Sequence, residues 1–292
     1  MSVEEHIQSL GNRLFATAAE YSEDASWIDK LVTLTTSDED FRVQALRFID
    51  VLPSLEDDIS LTRHLQSYFG QLTLPLPELA RWGLDHSDKP WLAHIAAPLT
   101  RFTIRGLSRK FMGGQTKTEA ASTIRKLRER GMNSSLDILG EATISEQEAD
   151  VYQQAYLELI SNMAEETVQW QHDPALDHCF GREIPRLNIS LKPSSLYSQI
   201  NAADYRGSVQ AILKRLYPII ECAREHDAFV MIDMEQYDYK HITLAVFNHL
   251  LTDKALSDWP NIGIAIQAYL KDAHRDLQSL ARTLQQRDAP AC

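Results

Sequence analysis

Apolar positions recur at helical spacing through the first part of the chain and become short continuous runs in the second. Val43, Leu46, Phe48 and Ile49 recur at helical spacing in a stretch from Asp40 to Leu52, the pattern of a helix, and Pro53 stops it. Thr73 to Pro77 breaks the pattern and Pro90 opens another segment. Met112-Gly113-Gly114 is expected to end one helix, and Thr118 to cap the next, which runs to about Arg130 and ends at Gly131. No stretch of this region alternates with period 2, so it reads as a helical region over residues 1–130. Beyond it the rhythm changes. Leu136-Asp137-Ile138-Leu139 is a short run ending at Gly140-Glu141, and Ser145 then opens a long helix with Glu148 at capping-box spacing. Leu187–Leu191 predicts a second strand, followed by a helix from about Asp204 to His226. Phe229–Asp233 predicts a third, followed by a helix from about His241. Ile262–Ala268 predicts a fourth, followed by a helix to about Gln286.

Four strand–helix pairs in series imply parallel strands joined by right-handed crossovers. Both an open doubly wound sheet and a closed barrel satisfy that. No GxGxxG or GxxxxGK[ST] follows any strand, so the phosphate-cradling turn of the common nucleotide-binding open sheets is missing. Alternation also places polar residues consistently. Asn188, Ser190 and Lys192 share one face of their strand, opposite Ile189 and Leu191. Asp233 and Glu235 lie opposite Val230, Ile232 and Met234, and Gln267 lies opposite Ile264, Ile266 and Ala268. One side of each strand is apolar, and the other turns polar towards the C-terminal end, where barrel active sites lie. The expected fold is therefore α/β: a helical region, then residues 131–292 as the first four units of a (β/α)8 TIM-type barrel. Eight units need about 250 residues, so the sequence reads as cut short. A compact four-stranded α/β domain is the alternative.

The chemistry gathers at the predicted strand ends. Lys192, between Leu191 and Pro193, would share the mouth with Asp233, Glu235 and Glu141. A lysine there can bind a carboxylate or form a Schiff base. Asp233 and Glu235 need partners on an otherwise apolar strand, and Lys192 is the simplest one. Gln267 offers a donor and an acceptor side by side. A surface lysine, a purely structural ion pair and a core glutamine are the bland counterparts of these readings. No HExxH and no strand-end HxH occurs, so a metal-dependent hydrolase is poorly supported. Cys179, Cys222 and Cys292 are too few and too widely spaced for a disulfide framework or zinc ribbon, and fit free thiols in a reducing cytoplasm. The 29 basic and 41 acidic residues give a net charge of −12, which argues against nucleic acid and anionic membrane as partners. The acidic start Met1-Ser2-Val3-Glu4-Glu5 has no signal-peptide pattern, and runs such as Ala228–Ile232 are too short to span a bilayer.

Five ordered segments resemble the proline dehydrogenase family, specifically the barrel of the bifunctional proline-utilisation proteins. They are Phe111-Met112-Gly113-Gly114-Gln115-Thr116, Leu136 to Glu141, Asn188 to Leu196, Ile232-Asp233-Met234-Glu235, and Gly263 to Tyr269. The helical segment before them is similar to the arm region of those proteins. The resemblance implies a distorted (β/α)8 barrel holding non-covalent FAD at its mouth. It implies oxidation of L-proline to Δ1-pyrroline-5-carboxylate, with electrons passing to a quinone or other acceptor. It further implies that Lys192 pairs with the substrate carboxylate, Asp233 orients Lys192, and Glu141 orients a substrate-binding arginine. Met234 and Gln267 would contact the isoalloxazine. A peripheral membrane association through the acceptor and a homo-oligomer are compatible with it, as is a following aldehyde dehydrogenase domain. The family's fifth-strand segment, sixth-strand histidine and paired arginines of the last helix do not occur here, which predicts that residues 1–292 alone bind FAD poorly and do not turn over. The DNA-binding arm of trifunctional members is also missing, in keeping with the acidic charge. Two other readings stand beside this one: a Schiff-base aldolase using Lys192, and a non-enzymatic helical interaction module.

Overall fold

Phe41, Phe48, Leu55, Leu61 and Phe69 form a small aromatic core between helix α2 (Glu39–Val51) and helix α3 (Asp58–Phe69). Phe69 meets Phe48 edge-on at 5.5 Å and Phe41 tilted at 5.8 Å, geometries that suit the ring quadrupoles. The side chain of Asp57 caps α3 by accepting from the Ser60 amide at 2.7 Å. Helix α1 (Val3–Glu20) precedes this pair. The computed structural model describes residues 2–20, 38–51, 55, 57–70, 112–114, 116–139, 143–179, 181–287, 289 and 291. Pro53, Thr73 to Pro77, Pro90, Glu141 and Cys292 lie outside them. The three helices belong to a first unit, Met1–Met112, and the strands to a second, Gly113–Cys292.

The second unit opens with helix α4 (Lys117–Glu129). Its cap is Thr116, whose hydroxyl accepts from the Glu119 amide at 3.3 Å; Thr118 sits inside the first turn. Gly131, at φ +73°, ends the helix in a conformation that side chains with a Cβ resist. Ala121 and Ile124 of α4 lie in the same buried cluster as Tyr156, Ile160 and Met163. The unit boundary therefore falls ahead of α4 rather than behind it at Arg130.

Strand β1 (Leu136–Asp137) leads to helix α5 (Glu146–Thr167), capped by Ser145 as expected, with the Glu148 carboxylate reaching back to the amide one residue before the cap rather than to that of Ser145 itself. The Glu148 amide donates to Ser145 Oγ at 3.2 Å, and the Glu148 carboxylate accepts from the Ile144 amide at 2.8 Å. A short helix α6 (Pro174–Asp177) and an antiparallel hairpin, β2 (His178–Cys179) with β3 (Arg182–Glu183), follow. Then come β4 (Leu187–Leu191), α7 (Tyr205–Glu225), β5 (Ala228–Ile232), α8 (Lys240–Thr252), β6 (Ile262–Ile264) and α9 (Ala273–Leu284). β1, β4, β5 and β6 form one parallel sheet in that order.

Burial alternates along β4 and β5 as the pattern predicts. Leu187, Ile189, Leu191, Ala228, Val230 and Ile232 are buried, while Asn188, Ser190, Phe229 and Met231 are half-buried. The buried face packs with Ile212, Leu216, Ile219 and Ile220 of α7, each fully excluded from solvent. Fully burying such side chains contributes about 1.5–3 kcal/mol apiece relative to leaving them exposed, so this layer fixes the sheet and leaves the other face for chemistry.

Candidate functional site

Because the four strands are parallel, their C-terminal ends meet at one edge, and the predicted site residues sit there. Lys192 directly follows β4 and enters a 3-10 turn, Pro193–Ser195, pinned by the Ser195 hydroxyl donating to Lys192 O at 2.7 Å. The Lys192 ammonium donates to Asp137 at the end of β1 and forms an ion pair with it. The pairing register explains the choice: Asp137 stands opposite Ser190 on β4, two residues before Lys192 and on the same face. Asp233, the expected partner, is not the ion-pair partner. Its amide donates to Leu191 O at 2.8 Å, which holds it alongside Lys192, and its Oδ1 accepts from the Met234 amide at 2.9 Å.

Burial is the largest single influence on Lys192 and works to lower its pKa. The hydrogen bond and charge of Asp137, with the charges of Asp233 and Glu235, outweigh it and hold the ammonium above its ordinary 10.5. A Schiff-base lysine needs a neutral amine near pH 7, so this environment opposes the aldolase reading. Behind the site Tyr156 is 1% exposed. Burial, the nearby Asp137 charge and a minor contribution from Tyr152 push its phenol well above the ordinary 10, against the Lys192 backbone and Ser195, so it stays protonated.

Glu235 is half-buried. It accepts from the Ser194 amide at 2.9 Å and, through its other oxygen, from the Ser194 hydroxyl. Burial raises its carboxyl above the ordinary value, although Ser194 and the Lys192 charge work the other way. Gln267, past β6, donates its Nε2 to Glu235 O at 2.9 Å. Met234 is 8% exposed and belongs to the buried core cluster. Of the two candidate flavin contacts, only Gln267 thus presents polar atoms at the strand ends. Lys192, Asp233 and Gln267 are brought together; Glu141 lies outside the described residues.

Asp137, Ser194 and Thr143 were not singled out from the sequence. For Asp137 a signal existed, since period 2 puts it on the inward face of its strand, but which strand it neighbours is a matter of register. Serine and threonine in a loop give no such signal. Among the described residues no cluster of three or more His, Cys, Asp or Glu could hold a metal ion, and no helix is long and apolar enough to cross a membrane.

The sequence model of the proline dehydrogenase family matches residues 120–291, which contain every strand among the described residues and every residue of this edge. The chain belongs to the proline dehydrogenase family. The model of the proline utilization A N-terminal domain matches residues 4–111 ahead of the proline dehydrogenase region. The bifunctional protein PutA of Escherichia coli strain K12 is 29% identical over 226 residues, 70% of this chain and 16% of that protein. Proline dehydrogenase 1 of Bacillus subtilis strain 168 is 27% identical over 173 residues, 59% of this chain and 48% of that protein. Among solved structures, PutA from Bdellovibrio bacteriovorus inactivated by N-propargylglycine matches with a TM-score of 0.80 and 31% identity, over 99% of this chain and 28% of that one. The proline dehydrogenase chain thus spans about half the length of the shorter relative and under a fifth of the E. coli one, and its strand–helix units are those of the family's TIM-like barrel.

Proposed function

We propose that the chain carries part of the site for FAD-dependent oxidation of L-proline to Δ1-pyrroline-5-carboxylate. The observation that carries this reading is the placement of Lys192, Asp233 and Gln267 at consecutive strand ends within the family match. The donor set fits the flavin. With one N–H of Gln267 given to Glu235 O, its amide keeps an oxygen acceptor and a second N–H, which match the alternating donor–acceptor edge of the isoalloxazine pyrimidine. FAD, when bound, supplies the hydride acceptor.

Lys192 binds the proline carboxylate and so fixes the ring relative to the pyrimidine edge held by Gln267. Asp137 holds the ammonium in place and keeps it charged. Asp233, with no ion pair among the described residues, adds negative potential on the adjacent strand and orients Lys192 through space rather than by contact. Glu141, four residues beyond Asp137, orients an arginine that also grips the carboxylate. Electrons leave to a quinone, which draws a protein of the cytoplasm to the membrane surface.

The test is anaerobic. The natural protein is purified, its visible spectrum recorded, and L-proline added. A flavin band that bleaches supports the reading. A flavin band unmoved by proline overturns the substrate, and a folded protein that takes up no flavin overturns the chemistry.

A further inference from the structure

One chain of hydrogen bonds crosses the C-terminal ends of all four parallel strands. Past β1, Thr143 donates its amide at 3.4 Å and its hydroxyl at 3.2 Å to Ser194 O. Past β4, Ser194 donates its amide at 2.9 Å and its hydroxyl to the two carboxylate oxygens of Glu235. Past β5, the backbone oxygen of Glu235 accepts from Gln267 past β6 at 2.9 Å. Thr143 is 4% and Ser194 1% exposed, so water does not readily replace these bonds.

Glu235 is the link between both halves of the chain, its side chain reaching back one strand and its carbonyl forward one. A carboxylate withdrawn from water and joined to no ion pair among the described residues is an expensive way to fill space, and an apolar side chain would do so at less cost. What the carboxylate adds is direction: two acceptors fork onto one serine, and the turn that serine belongs to begins at Lys192. We infer that Glu235 is a positioning residue, which sets the relative placement of Lys192 and Gln267 by tying the ends of β4 and β6 to the end of β5. Its functional consequence rests on the proline-oxidation reading, because only there do Lys192 and Gln267 hold substrate and flavin at a common distance.

Hydrogen–deuterium exchange and kinetics on the natural protein test this together. In Glu235→Ala, segment 192–198 exchanges about tenfold faster, the change expected for loss of a hydrogen bond to a charged group; segment 265–271, bonded to the backbone oxygen that alanine keeps, loosens less, through the lost anchoring of that oxygen, and Tyr205–Glu225 is unchanged. The dissociation constant for FAD and the KM for proline each rise about tenfold, with kcat less affected, and Glu235→Gln, which keeps one acceptor oxygen, recovers part of both. Ser194→Ala loosens 192–198 alone and serves as the probe where Glu235→Ala does not fold. Unchanged exchange in both segments overturns the inference. So does faster exchange with wild-type KM and FAD affinity, since that is a structural role only. If the unmodified protein takes up no flavin, the oxidation reading fails, and exchange in the flavin-free protein still decides whether Glu235 couples the strand ends.

Discussion

At Lys192 two opposing influences meet. Burial favours the neutral amine, and Asp137, Asp233 and Glu235 favour the ammonium and prevail. Replacing Asp137 with asparagine removes the strongest support for the charge, so the Lys192 pKa falls. The loss of kcat/KM for proline at alkaline pH then begins at a lower pH than in the unmodified protein, with little change near neutrality. A pH–rate series on both proteins checks this, and superimposable alkaline limbs would mean that Asp137 does not hold the charge. Lys192→Met removes the carboxylate partner itself. Loss of a charge-assisted hydrogen bond of about 1.5–3 kcal/mol raises KM roughly 10- to 100-fold, and borohydride with a carbonyl compound traps nothing on Lys192 in the unmodified protein. Period 2 made the inward placement of Lys192, Asp233 and Glu235 legible in the sequence. The swap of partner from Asp233 to Asp137 was not legible, because it depends on how β1 registers against β4, which no single strand encodes.

Elements were legible in proportion to the length of their pattern. β4 and β5 each carry five consecutive paired residues, and the apolar runs at Leu187–Leu191 and Phe229–Asp233 marked them to within a residue. β1 and β6 are two and three residues long, shorter than the runs that announced them, because their remaining residues bend into the loops of the site. The hairpin β2–β3 left no signal: its four residues are exposed and mostly polar, with Gly181 at φ +77°. Helix ends depend on contacts equally remote in sequence. The last carbonyls of α8 have no partner within the helix. Arg287 supplies one, donating to Leu250 O at 3.4 Å and Leu251 O at 2.9 Å, and reaching Leu256 O at 2.8 Å and Trp259 O at 2.9 Å. Arg287→Met leaves these acceptors unsatisfied and lowers stability by about 2–3 kcal/mol, seen as a lower urea midpoint with unchanged slope. Arg287→Lys recovers less than half, since one ammonium does not reproduce the planar fork.

For the whole molecule, the excess of acid over base, 41 residues against 29, favours solubility and disfavours polyanions as partners, and part of that acid is structural. The clearest case lies in the second unit, away from the site. Asp177 is 1% exposed and is gripped by Arg128 at the end of α4 at 2.7 Å, by Arg186 ahead of β4 at 3.1 Å, and by the Asp173 amide at 3.0 Å. Burial is the largest influence on its carboxyl and works to raise the pKa, but the amide and the two guanidinium groups hold it below the ordinary 3.8. A carboxylate with a depressed pKa in the fold contributes stability that is present above its ordinary value and is lost as pH falls through the folded one. Asp177→Ala, which leaves two guanidinium groups facing each other without their anion, lowers stability by about 3–5 kcal/mol near pH 7. The difference between variant and unmodified protein narrows as the pH is taken from 5 to below about 3, because the unmodified protein is then losing the same charge. Urea unfolding at pH 7, 5 and 3 measures it, and a difference that stays constant over that range would show that packing around Asp177, not its charge, joins α4 to the sheet.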